Sequence, residues 1–276
     1  MTNYIEVRFR LDADFNEILM AELGEIGFES FVEEEAELLG YIPENDFDEN
    51  QIKEVLAGLQ DIEVSYIFQK LETVNWNEEW EKNYRPIEID NTVCVRASYH
   101  TPNPNFKYDI VIDPKMSFGT GHHETTTMVM QLQLGIDHAN KTVLDVGSGT
   151  GILAILAEKL GAIQLTAFDI EEWAYLNAVE NAQLNDCQNI SFFQGTILDC
   201  PPAQYDIVLA NINRNILLAE IPTYVQFLAK NGMLIVSGFY ENDVADIIAK
   251  AKECGLVVAE QKTLNQWAAI HFLPIQ

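Results

Sequence analysis

The sequence predicts a two-part α/β protein: a large C-terminal domain with a mostly parallel, doubly wound sheet, preceded by a small α+β unit. Three observations carry this. From Lys141 onward, short apolar runs alternate with amphipathic stretches, the pattern of a parallel sheet with helices on both faces. Before residue 70 the order is strand, helix, strand, strand, helix, strand, which is that of a ferredoxin-like unit. Charge divides the same way: residues 1–70 hold 18 acidic and 4 basic side chains, a net of −14 out of −27 for all 276 residues. A quarter of the chain carries half of its charge.

The elements follow in order. "YIEVRFRL" alternates like a half-buried strand. In "DFNEILMAELGEIG", Phe15, Ile18, Leu19, Leu23 and Ile26 recur at helical spacing, with Asp14 as the expected N-cap and Gly27 past the end. "FESFVEE" and "AELLGYIP" are two short strands, "DENQIKEVLAGL" a helix capped near Asp48 or Asn50, and "IEVSYIFQKL" a closing strand. Residues 71–90 form a polar, aromatic-studded linker; Trp76 and Trp80 are four apart and share one helix face, expected to pack on the next domain. "VCVRASYH" and "YDIVID" are strands separated by the turn-rich "TPNPNFK". Beyond Lys141 the strands are "TVLDVG", "IQLTAFDI", "ISFFQG", "YDIVLANI", "MLIVSGF", "LVVAEQKTL" and "WAAIHFLP", seven in all. Between them lie helices, of which "RNILLAEIPTYVQFLAKNG" contains Pro222, a residue expected to bend or break it. The expected division is 1–70, a small N-terminal domain; 71–90, a linker; and 91–276, the large C-terminal domain.

Composition narrows the function classes. Hydrophobic residues make up 48% of the chain, enough for a sizeable core, and no apolar run approaches the length of a membrane span. The N-terminus lacks the basic and apolar segments of a secretion signal. Cys94, Cys187, Cys200 and Cys254 are widely spaced with no C-x-x-C pair, the pattern of a reducing compartment. The expectation is a cytoplasmic protein with no membrane association. With 16 basic against 43 acidic residues, direct nucleic-acid binding is not expected. The acidic surface would instead draw basic partners toward it.

The chemistry concentrates at three strand ends. "VLDVGSGTGILA" carries a buried strand through Asp145 and Val146 into Gly147, Ser148, Gly149, Thr150 and Gly151, then a helix. Glycines here let the backbone approach a ligand and leave N–H groups free at the helix start. A dinucleotide fingerprint reads G-x-G-x-x-G, whereas here position 152 is Ile and the spacing is G-x-G-x-G. That weakens a nicotinamide or flavin assignment and suits a nucleoside with a charged tail, such as S-adenosylmethionine. Asp169 ends the next strand, 22 residues after Gly147, where a carboxylate can accept hydrogen bonds from both ribose hydroxyls. It could equally cap the helix beginning near Glu171. Asn211 ends "DIVLAN", at the same rim of the sheet.

"DPKMSFGTGHHETTTM" is the most distinctive stretch. Its histidines first suggest a metal, but His122 and His123 are adjacent, diverge on a helix, and form no H-E-x-x-H. No metal is expected.

These segments carry a resemblance. "LDVGSGTG", an acidic strand end and "LANI" resemble class I S-adenosylmethionine-dependent methyltransferases. "DPKMSFGTGHHETT", the "NWNEEWEKNYRPIEI" connector and the small acidic N-terminal domain narrow this to the bacterial ribosomal protein L-eleven methyltransferase (PrmA) family. The resemblance implies a Rossmann-like catalytic domain that transfers methyl groups to lysine ε-amino groups, and to an N-terminal α-amino group, of that ribosomal protein. It implies that the acidic N-terminal domain captures the substrate. It also implies that Phe118 and the Gly119, Thr120, Gly121 loop cover the methionine end of the cofactor and that Thr126 touches it. Gly147 lies under the cofactor, Asp169 holds the ribose, Asn211 sits near the methyl group and incoming amine, and His123 helps shape the pocket. Asp145 and Gly149 of the glycine-rich turn complete the cofactor-binding candidates, and a monomer is expected. Related amine methyltransferases often have two prolines after the Asn; here Ile212 and Asn213 follow. The alternatives are a methyltransferase acting on another basic protein or a small molecule, a nicotinamide-dependent oxidoreductase, and a non-catalytic adapter.

Overall fold

The computed structural model describes residues 4–12, 15–34, 37–59, 64–70, 85–113 and 123–275. The chain divides into two compact units, Met1–Tyr84 and Arg85–Gln276.

In the first unit, β1 (Tyr4–Arg10), β2 (Ser30–Glu34), β3 (Glu37–Pro43) and β4 (Ser65–Lys70) form an antiparallel sheet in the order β2-β3-β1-β4. Helices α1 (Asn16–Glu25) and α2 (Glu49–Gly58) complete the ferredoxin-like order. Alternation along β1 sends Ile5, Val7 and Phe9 into a core with Leu19, Leu23, Leu38, Ile42 and Ile52. Asp48 caps α2, its Oδ1 accepting the Asn50 N–H at 2.9 Å. The expected Asp14 cap on α1 lies outside the described residues; the residue at the cap position is Phe15, which cannot accept the bond. Trp76 and Trp80 also lie outside them.

The second unit begins with a three-stranded sheet in the order β5-β6-β7: β5 (Ile87–Ile89), β6 (Val93–Arg96) and β7 (Tyr108–Val111). The "PIEI" end of the predicted linker is therefore partly a strand, because Ile87–Ile89 pairs with Val93–Val95 across the tight turn at Asp90 and Asn91. Helix α3 (Glu124–Leu134) follows. Then come β8 (Thr142–Val146), α4 (Ile152–Lys159), β9 (Gln164–Asp169), α5 (Glu172–Leu184) and β10 (Ile190–Gln194). β11 (Tyr205–Asn211), α6 (Arg214–Phe227), β12 (Leu228–Tyr240), α7 (Val244–Glu253), β13 (Leu256–Leu264) and β14 (Trp267–Pro274) complete the chain.

The seven-stranded sheet runs β10-β9-β8-β11-β12-β14-β13. The first five are parallel, and β14 is antiparallel to both its neighbours. Strand alternation feeds two cores. Val143, Leu165, Ile207 and Ile235 face α3 and α4, while Leu144, Phe168, Val208 and Val236 face α6 and α7. The order reverses at β8, so the carboxyl ends of β8, β9 and β11 open onto one crevice, the usual ligand position in such sheets.

The extent of α6 differs from the expectation. The helix runs through Pro222 without a break, and the proline has no N–H to donate to the Leu218 carbonyl. It stops at Phe227, and "LAKNG" belongs to β12, whose start pairs with Tyr205 before a register shift brings Met233 beside Ile207.

Candidate active site

Gly147, Gly149 and Gly151 all have positive φ, at +66°, +53° and +79°. A side chain at Gly147 would also place its Cβ 2.5 Å from Ile212 Cγ2. Both the backbone conformation and the close approach therefore demand glycine. Gly151 starts α4 and has no side chain to cap it. The cap comes from the preceding strand: Asp145 Oδ2 accepts the Ala154 N–H at 3.2 Å, the third N–H of the helix. The Asp145 carboxyl is fully buried, its Oδ1 has no partner, and burial pushes its pKa up to about 7. It lies beneath the turn and is not part of the cleft lining.

Asp169 ends β9 and points at the same turn. Its Oδ2 accepts the Gly149 N–H at 2.9 Å and its Oδ1 accepts the Glu171 N–H at 3.1 Å. The second bond is the helix-start role expected as the alternative, although the residue at the cap position of α5 is Glu171. Each carboxylate oxygen has capacity left for one further donor.

Asn211 ends β11. Its Nδ2 donates to Thr126 Oγ1 at 3.3 Å, and its Oδ1 is buried without a partner. Thr126 is fully buried in the first turn of α3, whose cap is His123; His123 Nδ1 accepts the Thr125 N–H at 3.3 Å. The His123 ring meets Trp267 edge-on at 4.6 Å, and Trp267 stacks on Tyr240 at 4.1 Å.

These groups surround a cleft of about 490 Å³. The structure brings His123, Thr126, Gly147, Gly149, Asp169 and Asn211 together in its lining. Phe118, Gly119, Thr120 and Gly121 lie outside the described residues. The lining also holds groups the sequence did not single out: Ser148, Ile170, Ile212, Glu220, Gly238 and Trp267. Trp267 comes from the last strand, far from any motif. Gly238 carried a weak signal, since an isolated glycine in a strand marks a bulge or a close backbone approach. Here it is both: φ is +97°, the β12–β14 register shifts across it, and a Cβ would stand 2.1 Å from the Ile212 carbonyl oxygen.

The described lining contains three carboxylates, Asp169, Glu171 and Glu220, and no Lys or Arg. Glu171 accepts the Trp173 indole N–H at 3.2 Å, and Glu220 accepts the Tyr224 hydroxyl at 2.5 Å. Such a cleft favours a cationic ligand and a cationic partner.

A sheet of this order, with a glycine-rich turn after its first strand and an acidic residue at the end of its second, defines a class I S-adenosylmethionine-dependent methyltransferase. The family model described as ribosomal protein L11 methyltransferase (PrmA) matches residues 12–273. The chain is 42% identical to the ribosomal protein L11 methyltransferase of Phocaeicola vulgatus, over 98% of this chain and 99% of the relative. It is 44% identical to that of Porphyromonas gingivalis, over 94% and 90% of the two chains. Among solved structures, the ribosomal protein L11 methylase of Lactobacillus delbrueckii subsp. bulgaricus superposes with a TM-score of 0.65 at 29% identity, covering 70% of this chain and all of that one. The chain belongs to the ribosomal protein L11 methyltransferase (PrmA) family. That membership decides between the methyltransferase and nicotinamide assignments of the glycine-rich turn.

Proposed function

We propose that the protein transfers methyl groups from S-adenosylmethionine to amino groups of ribosomal protein L11, chiefly lysine ε-amino groups and also the N-terminal α-amino group. The observation that carries this is Asn211: a buried carbonyl oxygen with no partner among the described residues, at the rim of the cleft, with its amide nitrogen held by Thr126.

The residues fit the cofactor. Asp169 has the spare acceptor capacity for two ribose hydroxyls, and Ile170 and Ile197 give the cleft an apolar side for the base. Gly147 and Gly149 let the backbone lie under the ligand, and the absence of lysine and arginine from the described lining suits its positive charge. Phe118 and the Gly119–Gly121 loop cover the methionine end, and His123 shapes the pocket wall. When bound, S-adenosylmethionine supplies an electrophilic methyl group on sulfur.

The protein's part is alignment and control of one proton. The acceptor nitrogen must lie in line with the methyl carbon and sulfur, so positioning supplies most of the acceleration. The amine must also be neutral. With a pKa of about 10.4, roughly 1 lysine in 2,500 is neutral at pH 7, a cost of about 4.6 kcal/mol. A carboxylate touching the nitrogen would hold it as ammonium. The Asn211 carbonyl orients a neutral amine through one of its N–H groups without that penalty, and the proton leaves to water. Glu171 and Glu220 are each tied to a neighbouring side chain, which leaves them a steering role.

Residues 1–70 capture the basic substrate, residues 71–90 link them to the catalytic domain at 91–276, and the protein acts as a monomer in the cytoplasm. Incubation with labelled S-adenosylmethionine and total ribosomal proteins tests the function: label is expected on L11, at lysine side chains. Absence of label from every protein would overturn it, and label on another basic protein would replace the substrate.

A further inference from the structure

Three asparagines recur at intervals of four along one face of α5 and its C-terminal cap: Asn177, Asn181 and, at the cap, Asn185. Asn181 is fully buried and the other two are nearly so. Buried amides need partners, and each of these finds one on the backbone of β7 or the two residues that follow it, although Asn177 Oδ1 is left without one among the described residues. Asn185 Oδ1 accepts the Val111 N–H at 2.9 Å, and its Nδ2 donates to the Val111 carbonyl at 2.6 Å. Two strand residues on, Asn181 Oδ1 accepts the Asp113 N–H at 3.0 Å and Asn177 Nδ2 donates to the Asp113 carbonyl at 3.1 Å. The repeats match: four helical residues rise about 6 Å and two strand residues about 6.6 Å. The helix thus reads the strand edge as a neighbouring strand would.

The rungs differ in one respect. Asn185 Nδ2 spends its other bond on the Asn181 carbonyl of its own helix, at 2.8 Å. Asn181 Nδ2 instead donates to the Thr150 carbonyl at 3.0 Å, inside the glycine-rich turn. Of the three asparagines, Asn181 is the one that ties Asp113 to the turn that carries Gly147 and Gly149. Next to it, Gly151 packs on α5, where a Cβ would stand 3.1 Å from Ala178 Cβ.

We propose that Asn181 is a positioning residue of the cofactor site, supported by Asn177, and that Asn185 only anchors β7. Asn181 fixes the offset between the glycine-rich turn and Asp113. This rests on the cofactor assignment made above. The ladder then has two ends with different work: the Asn185 end holds the fold, and the Asn181 end sets the geometry that the ligand meets.

The test is the affinity of the intact protein for S-adenosylhomocysteine by calorimetry, with thermal unfolding measured beside it. Asn181→Ala removes two hydrogen bonds and Asn185→Ala three, so Asn185→Ala should lower Tm at least as much. Asn181→Ala should weaken binding tenfold or more, whereas Asn185→Ala should change it less than twofold. Equal weakening in both, or wild-type affinity in Asn181→Ala, overturns the proposal. Should Asn181→Ala not fold, Asn177→Ala carries the test, since it removes one bond to the same strand residue. A threefold or greater loss of affinity is then expected, and wild-type affinity overturns the proposal. Failure of the wild-type protein to bind S-adenosylhomocysteine would instead overturn the cofactor assignment and take this inference with it.

Discussion

Asn211 and Thr126 face each other across the cleft rim at 3.3 Å, the amide donating and the hydroxyl accepting, which leaves the Asn211 carbonyl as the open acceptor. Removing one positioned polar group from a site of this kind costs about 10²–10³ in kcat. Asn211→Ala should show that loss with little change in S-adenosylhomocysteine affinity. Asn211→Asp should also be slower than wild type at neutral pH, because a carboxylate retains the acceptor as ammonium. A faster Asn211→Asp enzyme in steady-state assays would sink the role given to this residue. Thr126→Val, which frees the amide to rotate, should fall between wild type and Asn211→Ala.

Asp169 serves two backbone N–H groups and, in the proposed function, the ribose. Hydrogen bonds to a charged group are worth about 1.5–3 kcal/mol each. Asp169→Ala should therefore weaken S-adenosylhomocysteine binding roughly 10²-fold or more in calorimetry. An unchanged dissociation constant would remove Asp169 from the cofactor site.

Gly238 and Gly255 separate two costs of the same substitution. Both have positive φ, at +97° and +81°, but a Cβ at Gly255 meets nothing within 4 Å, whereas at Gly238 it meets the Ile212 carbonyl. Gly255→Ala should cost about 1–2 kcal/mol of stability for left-handed backbone strain alone and keep full activity. Gly238→Ala should cost more than this and abolish methyl transfer, because the clash is relieved only by moving the Ile212 backbone, next to Asn211. Chemical denaturation and a methylation assay on both variants check this.

Asp145 gives stability a pH dependence. Its folded pKa, about 7, lies above the unfolded value near 3.8, so the folded state binds more protons between these pH values. This group's contribution is greatest below pH 4, declines as pH rises, and is gone above about pH 7. Asp145→Asn keeps the acceptor for the Ala154 N–H and cannot ionise. It should be more stable than wild type at pH 8, by up to a few kcal/mol, with the difference vanishing toward pH 4. Denaturation midpoints for both proteins at pH 4, 6 and 8 test the sign.

Substrate capture by an acidic domain should be sensitive to salt while cofactor binding is not. Raising ionic strength from 50 to 300 mM shortens the Debye length from roughly 14 to 6 Å, so KM for L11 should rise several-fold with KM for S-adenosylmethionine nearly constant. A flat KM for L11 would argue against electrostatic capture.

The sequence made the fold legible wherever one period ruled a whole segment. The seven strands were legible because Ile207–Ala210 is a continuous apolar run, and Val143–Val146 is broken only by Asp145, each bounded by turn residues. The end of α6 did not, because "LAKNG" has no period and its strand state comes only from pairing beside Tyr205. Gly147, Asp169 and Asn211 were legible as a site because each ends a strand, and strand ends of one sheet share a rim. Asp145 belonged to the same motif and looked like its neighbours. Only the side chain's direction, toward the Ala154 N–H and away from the cleft, separates them. Trp267 could not be found locally, because what brings it to the cleft is the position of β14 against β12, and Gly238 signalled only a bulge or a close approach.

That position has a consequence for biosynthesis. β14 is made after both β12 and β13, yet it lies between them. During translation β13 has no partner in the sheet and β12 has an open edge until Trp267–Pro274 leave the ribosome. The same eight residues deliver the aromatic ring that braces His123. Closure of the sheet and completion of the cleft are therefore one event, and the site cannot be finished on an unfinished sheet.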